Sequence, residues 1–159
     1  MTGNTHIIGG LAASLAFAQV TNYEPILLVS AGVVGALLPD ICHGGSTIGR
    51  KFKALSKVVN TLFGHRSFTH SLLCLVLTAI LLTSFVKNES IVLGILVGMG
   101  SHLLLDMATK NGIKLLFPFK ITVRFPITTR TGGTVEYVVF AALSVLSVYF
   151  GYGVFGKYL

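Results

Sequence analysis

The sequence predicts an all-α fold: a polytopic membrane helix bundle of about five transmembrane helices, forming one domain over residues 1–159. Three observations carry that expectation. Hydrophobic residues make up 53% of the chain and charged residues 11%, whereas a soluble domain carries about 25% charged residues. Five apolar runs are separated by two tight turns and two long polar connections. The basic residues gather in the long connections, as they do on one side of a membrane.

The first apolar run extends from Thr5 to Val20 and ends at the turn Asn22-Tyr23-Glu24-Pro25. A second spans Pro25 to Pro39, and a third spans His70 to Val86. After the turn Lys87-Asn88-Glu89-Ser90, a fourth covers Ile91 to Asp106, and the fifth covers Val135 to Phe155. Some fall short of the ~20 residues of a full span, so tilt or local bilayer thinning is expected. Eighteen glycines and no tryptophan suit closely approaching membrane helices. The opening Met1-Thr2-Gly3-Asn4-Thr5-His6 lacks a basic leader, so the first run reads as retained. Cys42 and Cys74 form no disulfide framework, and Cys74, inside an apolar run, reads as a packing residue.

Between Ile48 and Phe63, Lys51, Lys53 and Lys57 alternate with Phe52, Leu55, Val58, Val59 and Leu62. This pattern fits a short amphipathic helix on anionic headgroups, or equally a solvated loop. In the second connection, Leu115-Leu116-Phe117-Pro118-Phe119 and Phe125-Pro126 read as an irregular interfacial segment beside acyl chains.

Ten of the twelve Lys and Arg residues lie in the connections Ile41–Thr69 and Met107–Thr134. The positive-inside rule then places both connections and the N-terminus in the cytoplasm, and five crossings put the C-terminus outside. The implied location is the inner (plasma) membrane, as a multi-pass protein. All five histidines and both aspartates fall at the cytoplasmic ends of the apolar runs, while Glu24 and Glu89 lie at the other ends. Such segregation points to a site. A transporter would need polar groups near the midplane, so that class is disfavoured. A nucleic-acid partner is disfavoured too, because the basic residues are interleaved with Phe and Leu in a way that suits phospholipid.

Ser101-His102-Leu103-Leu104-Leu105-Asp106 sets an imidazole and a carboxylate four residues apart, one helical turn above each other. Together they make half of a metal site, or else a pair that satisfies itself. Asp40-Ile41-Cys42-His43 follows a helix-ending proline, with Cys42 as a soft donor if its thiolate forms. Gly64-His65-Arg66-Ser67-Phe68-Thr69-His70-Ser71 places two histidines and an arginine at a helix mouth. There Arg66 can hold phosphate bidentately, while Ser67, Thr69 and Ser71 are expected to cap. Thr129-Arg130-Thr131-Gly132-Gly133-Thr134-Val135-Glu136 offers an anion-holding turn with Glu136 as acid, base or ligand, or simply a loop before a first-turn glutamate.

Three of these blocks carry a resemblance: Leu-Leu-Pro-Asp40-x-x-His43, Gly-His65-Arg66-x-x-Thr-His70-Ser, and Ser-His102-Leu-Leu-Leu-Asp106-x-x-Thr109 followed by Gly112. In this order they resemble the YdjM family of inner-membrane proteins, described as metal-dependent hydrolases. The His-x-x-x-Asp spacing is also similar to one that ligates zinc in zinc-dependent phospholipases C. One departure stands out: the family commonly has Asp-x-Asp-His where this chain has Asp40-Ile41-Cys42-His43. Losing that carboxylate would weaken one metal position or favour zinc through a thiolate.

Residues and resemblance together suggest His6, Asp40, His43, His65, His70, His102 and Asp106 as ligands of one or two divalent ions, zinc first, with manganese or magnesium as alternatives. Arg66, Asp40 and Glu136 are the expected catalytic residues. The expected reaction is hydrolysis of a phosphoester, a phospholipid or lipid-linked phosphate, at the cytoplasmic interface. The competing class is a non-catalytic metal-binding membrane protein acting as sensor or scaffold.

Topology is tested by cysteine-accessibility labelling at positions 53, 87 and 159 in a background lacking Cys42 and Cys74. Position 53 should label from the cytoplasm, and 87 and 159 from outside. Labelling of 53 and 87 from the same side would overturn this arrangement.

Overall fold

In the computed structural model, which describes residues 1–64 and 66–156, seven α-helices follow one another. They are α1 (Gly3–Gln19), α2 (Pro25–Gly35), α3 (Thr47–Lys51), α4 (Lys53–Phe63), α5 (Leu72–Phe85), α6 (Glu89–Met107) and α7 (Thr134–Phe155). Short 3₁₀ turns occupy Leu38–Cys42 and Phe68–His70. No strand forms among the described residues, although isolated bridges pair Thr109 with Thr129 and Ile113 with Val123.

Helix α6 is the central element, packed against α1, α2 and α5, while α7 packs on α1. Its contact with α2 is made by backbone. A Cβ at Gly94 would collide with the carbonyl of Leu28, one at Gly98 with that of Gly32, and one at Gly35 with that of Ile95. Small residues are what allow membrane helices to approach this closely. Around that seam, Leu15, Ala18, Leu28 and Val154 form one buried cluster. Leu103, Met107 and Ile113 form another, under the second connection.

The turns behave as their residues dictate. Glu24 caps α2 by accepting from the backbone N–H groups of Ile26 (3.0 Å) and Leu27 (2.6 Å), with Pro25 in the first helical turn. Asn88 caps α6 in the same way. The backbone N–H of Glu24 donates to Ser90 Oγ at 2.9 Å, tying both short turns together at one end of the bundle. Ser71 caps α5 through Cys74 N, as expected, but Ser67 makes no capping bond and Thr69 turns to His70 instead. The alternating stretch in the first connection does form a helix, α4. It buries Ser56 near the Leu38–Cys42 turn and leaves Phe52, Leu55, Val58 and Leu62 exposed.

All five apolar runs are helical. Three segments among the described residues are long and apolar enough to cross a membrane: Pro25–Cys42, Glu89–Met107 and Thr134–Phe155. Leu72–Phe85 is apolar but has only 14 residues, about 21 Å of helix, and α1 has 17. The expected count of five crossings thus rests on two helices shorter than a full span. Both α5 and α7 turn large apolar side chains outward, among them Ile80, Leu81, Phe85, Val145, Val148 and Tyr152, as a lipid-facing surface requires.

The glycine seam predicts an asymmetry. Gly98→Ala should cost about 1–3 kcal/mol by forcing two backbones apart. Gly100→Ala, where nothing lies within 4 Å of the added Cβ, should be neutral or stabilising. Thermal unfolding of the two variants in detergent distinguishes these outcomes.

Candidate metal centre

At the end of the bundle away from the Glu24–Ser90 contact, four elements bring their polar residues to one point. His6 comes from the first turn of α1, Asp40 from the 3₁₀ turn after α2, and His70 from the 3₁₀ turn before α5. His102 and Asp106 come from the last turns of α6. The side chains of His6, His70, His102 and Asp106 are fully buried, and that of Asp40 is 15% exposed. Two groups have donor atoms within 4.8 Å of one another: His6, Asp40 and His102, and His70, His102 and Asp106. His102 belongs to both.

The protonation of His102 follows from its surroundings. Its Nδ1 lies 2.7 Å from the carbonyl of Ala36, which can only accept, so Nδ1 carries the hydrogen. In the neutral ring Nε2 then presents its lone pair to the cluster. A backbone carbonyl on the far nitrogen is a usual partner of a metal-ligating imidazole. The seam that brings α2 against α6 puts that carbonyl within reach.

His70 Nε2 faces His102 Nε2 at 3.1 Å, with Asp106 Oδ2 at 3.4 Å and Asp40 Oδ1 at 3.6 Å. Two nitrogens bound tetrahedrally to one zinc would sit about 3.3–3.4 Å apart, given ~2.0–2.1 Å bonds. The ring of His6 stacks on that of His102 with centroids 3.6 Å apart, and its Nε2 is 3.3 Å from Asp106 Oδ1. Neither ring nitrogen of His6 makes a geometrically sound hydrogen bond with a described residue, and neither does Asp106 Oδ2. Buried polar atoms left so are costly, and a divalent cation would satisfy Asp106 Oδ2 together with His6 Nε2, the ring nitrogen that faces the cluster. Three imidazoles with two carboxylates suit zinc or another transition ion better than magnesium, which prefers an all-oxygen shell.

Other anticipated residues take different places. Arg66, 16% exposed and in the left-handed backbone region at φ 54°, donates to Thr109 Oγ1 (3.1 Å) and lies 3.3 Å from Asp106 Oδ2. The amino group of Met1 also contacts Asp106. Cys42 is buried with Sγ 4.0 Å from Nδ1 of His70, the nitrogen turned away from the other ligand candidates, and it belongs to neither ligand group. Thr69 Oγ1 contacts the same Nδ1 at 3.1 Å. His43 is exposed and stands outside both groups, and His65 lies outside the described residues.

Glu136 is buried but directed elsewhere. Its carboxylate accepts from the backbone N–H of Thr2 (2.5 Å), the hydroxyl of Thr5 (2.7 Å) and the backbone N–H of Gly132 (2.7 Å). The anion held by the Gly132-Gly133 turn is thus this side chain, and the bonds clamp the start of α1 beside His6. Ala36, Thr5 and the partnership of Thr109 with Arg66 were not anticipated. The four-residue ladder Gly94, Gly98, His102, Asp106 was the available signal for Ala36.

Burial pulls the pKa of His70 down, but contacts with Asp106, Asp40 and Cys42 outweigh it and raise it to about 10. A cation taking up Nε2 must displace a proton, so metal binding should release protons and weaken as pH falls. Calorimetric titration with zinc in buffers of different ionisation enthalpy reads that release directly. Asp106→Asn should lose most bound metal, whereas Cys42→Ser should retain it.

Comparison with known proteins places this geometry. The family model described as YdjM inner membrane protein matches residues 1–158. The chain is 49% identical over 155 residues to the uncharacterized protein YvsG of Bacillus subtilis, covering 98% of this chain and 97% of the relative. It is 34% identical over 164 residues to the inner membrane protein YdjM of Escherichia coli and, equally, of Shigella flexneri, covering 94% of this chain and 82% of each relative. No solved structure matches. The chain belongs to the YdjM inner membrane protein family.

Proposed function

We propose that this protein is a metal-dependent hydrolase of phosphoesters, acting on a lipid or lipid-linked phosphate at the cytoplasmic face of the inner membrane. One observation carries the reading: His6, His70, His102 and Asp106, all buried, converge beside Asp40 in two overlapping groups whose donor atoms lie within 4.8 Å of one another. A bound divalent ion would supply an acidified water and polarise the phosphoryl oxygens. The remaining steps belong to the chain. Asp40, the least buried ligand candidate, accepts the proton of the attacking water as its oxygen bonds to phosphorus. The phosphorus–oxygen bond to the alcohol breaks, and that proton passes to the leaving oxygen, yielding a free alcohol and a phosphate.

Arg66 holds Asp106 in place, and its remaining N–H donors offset charge developing on the phosphoryl oxygens. Glu136 is a positioning residue in this scheme, holding α1 so that His6 reaches the cluster.

The test is hydrolysis of lipid phosphates in nanodiscs by wild type, Arg66→Ala and His102→Ala, with metal content determined for each. Wild type should be metallated and active. Arg66→Ala should keep its metal and lose about 10²-fold in turnover, and His102→Ala should lose both. A metallated wild type inert on every phosphoester would instead indicate a metal-binding sensor or scaffold.

A further inference from the structure

The cluster reaches solvent on one side. Of its five residues only Asp40 has an exposed side chain, and Asp40 lies on the wall of a cleft of about 310 Å³. The same cleft is lined by Asn4, His43, Ser46, Thr47 and Arg50. Its far wall is a tight loop. Ser46 donates to the carbonyl of Asp40 (2.8 Å) and accepts from Gly49 N (2.9 Å), and a Cβ at Gly49 would strike the carbonyl of His43. The loop is thereby fastened to the turn that carries Asp40, and it presents Arg50 at a fixed distance along the chain from it.

Two arginines stand near the cluster, and they differ in commitment. Arg66 is tied to Asp106 and Thr109. Arg50 is exposed and makes no ion pair with a described residue, and Asn4 and Thr47 beside it are also exposed. A guanidinium with neighbouring amide and hydroxyl donors at the mouth of a polar cleft is suited to a phosphate group.

We infer that the cleft between Asn4, Asp40 and Arg50 is where a phosphate group enters and is recognised, with Arg50 as its binding residue and Asn4 and Thr47 as accessory donors. This rests on the hydrolase reading above and specifies its binding step. The recognised chemistry is a phosphate monoester or terminal phosphate. Its source is either a lipid headgroup or a soluble phosphate, and the cleft accommodates the phosphate of both.

The test uses the full chain in nanodiscs of neutral phosphatidylcholine, loaded with Mn²⁺ as a paramagnetic probe, with metal content measured independently. Inorganic phosphate is titrated, and its ³¹P line broadening by bound Mn²⁺ reports binding close to the centre. Wild type should broaden the line saturably. Arg50→Ala should weaken phosphate binding about tenfold or more at unchanged metal content, and Arg50→Lys should recover part of the loss. Lys120→Ala, an exposed cation outside the cleft, should match wild type. Nanodiscs containing phosphatidic acid should displace inorganic phosphate if the source is a lipid, and glycerol 3-phosphate alone should do so if it is soluble.

Equal phosphate binding by wild type and Arg50→Ala would overturn the inference while leaving the metal centre standing. Metallated wild type that binds no phosphate would do the same. A protein that takes up no metal would overturn the hydrolase reading, and this inference with it.

Discussion

The structure depends on how closely α2 and α6 approach. At Gly35, Gly94 and Gly98 the two helices approach through backbone atoms, with the carbonyls of Ile95, Leu28 and Gly32 standing where a Cβ would lie, while Gly32 makes room for the Ser14 side chain of α1. In an environment where apolar surface gains little by leaving lipid, dispersion over such a contact is a main source of helix association. The same approach determines the chemistry. Gly94 and Gly98 share a face of α6 with His102 and Asp106, each one turn further along, so the face that packs tightly at one level carries the ligands at the next. The Ala36 carbonyl, just beyond α2, is held 2.7 Å from His102 Nδ1 and selects which ring nitrogen is left for the centre.

That packing has an electrostatic consequence. Asp106 is buried among His6, His70, Arg66 and the amino group of Met1, while His70 stands between Asp106 and Asp40. Removing so many ionisable groups from water costs several kcal/mol per uncompensated ion. A purely structural cluster would be expected to saturate its hydrogen bonds, yet His6 Nδ1, His6 Nε2 and Asp106 Oδ2 have no sound partner among the described residues. Glu136 shows the contrast. It is as buried as the others, but its carboxylate accepts three hydrogen bonds and serves to hold a helix end. Two kinds of buried carboxylate thus coexist at one end of the bundle, one held by hydrogen bonds from a helix end and a turn, the other ringed by imidazoles, a guanidinium and the Met1 amino group.

Much of this was legible in the sequence because it follows from periodicity. The five apolar runs became helices, the i,i+4 spacing placed His102 and Asp106 together, and the gathering of His and Asp at helix ends brought His6, Asp40, His70, His102 and Asp106 to one point. What was not legible depends on tertiary reach and side-chain direction. Glu136 reads either as an acid, base or ligand beside a glycine turn or as a plain first-turn glutamate, yet partners of its carboxylate lie more than 130 residues away at Thr2 and Thr5. Cys42 neighbours a ligand in sequence, but its sulfur meets the wrong nitrogen of His70. Thr69 reads as a cap and proves to orient an imidazole. An apolar run signals a helix without giving its length, so three of the five expected crossings are long enough by themselves, while α5 and α1 have 14 and 17 residues.

The short helix α4 packs against the turn that carries Asp40. Eleven residues are too few to hold a helix in water unaided, since isolated helices need about 12–15. One tertiary contact and one pattern bear on its stability. Ser56 packs near the turn carrying Asp40, and the opposite exposure of Phe52, Leu55, Val58 and Leu62 gives it an apolar stripe beside Lys53 and Lys57. A stripe of that kind gains stability by sinking into a headgroup layer. Another part of α4 rests on the 3₁₀ turn of Asp40, so the helix and the turn that borders the cleft of Asp40 and Arg50 are packed together. Such coupling gives a physical reason for joining an amphipathic helix and a ligand-bearing turn in one connection.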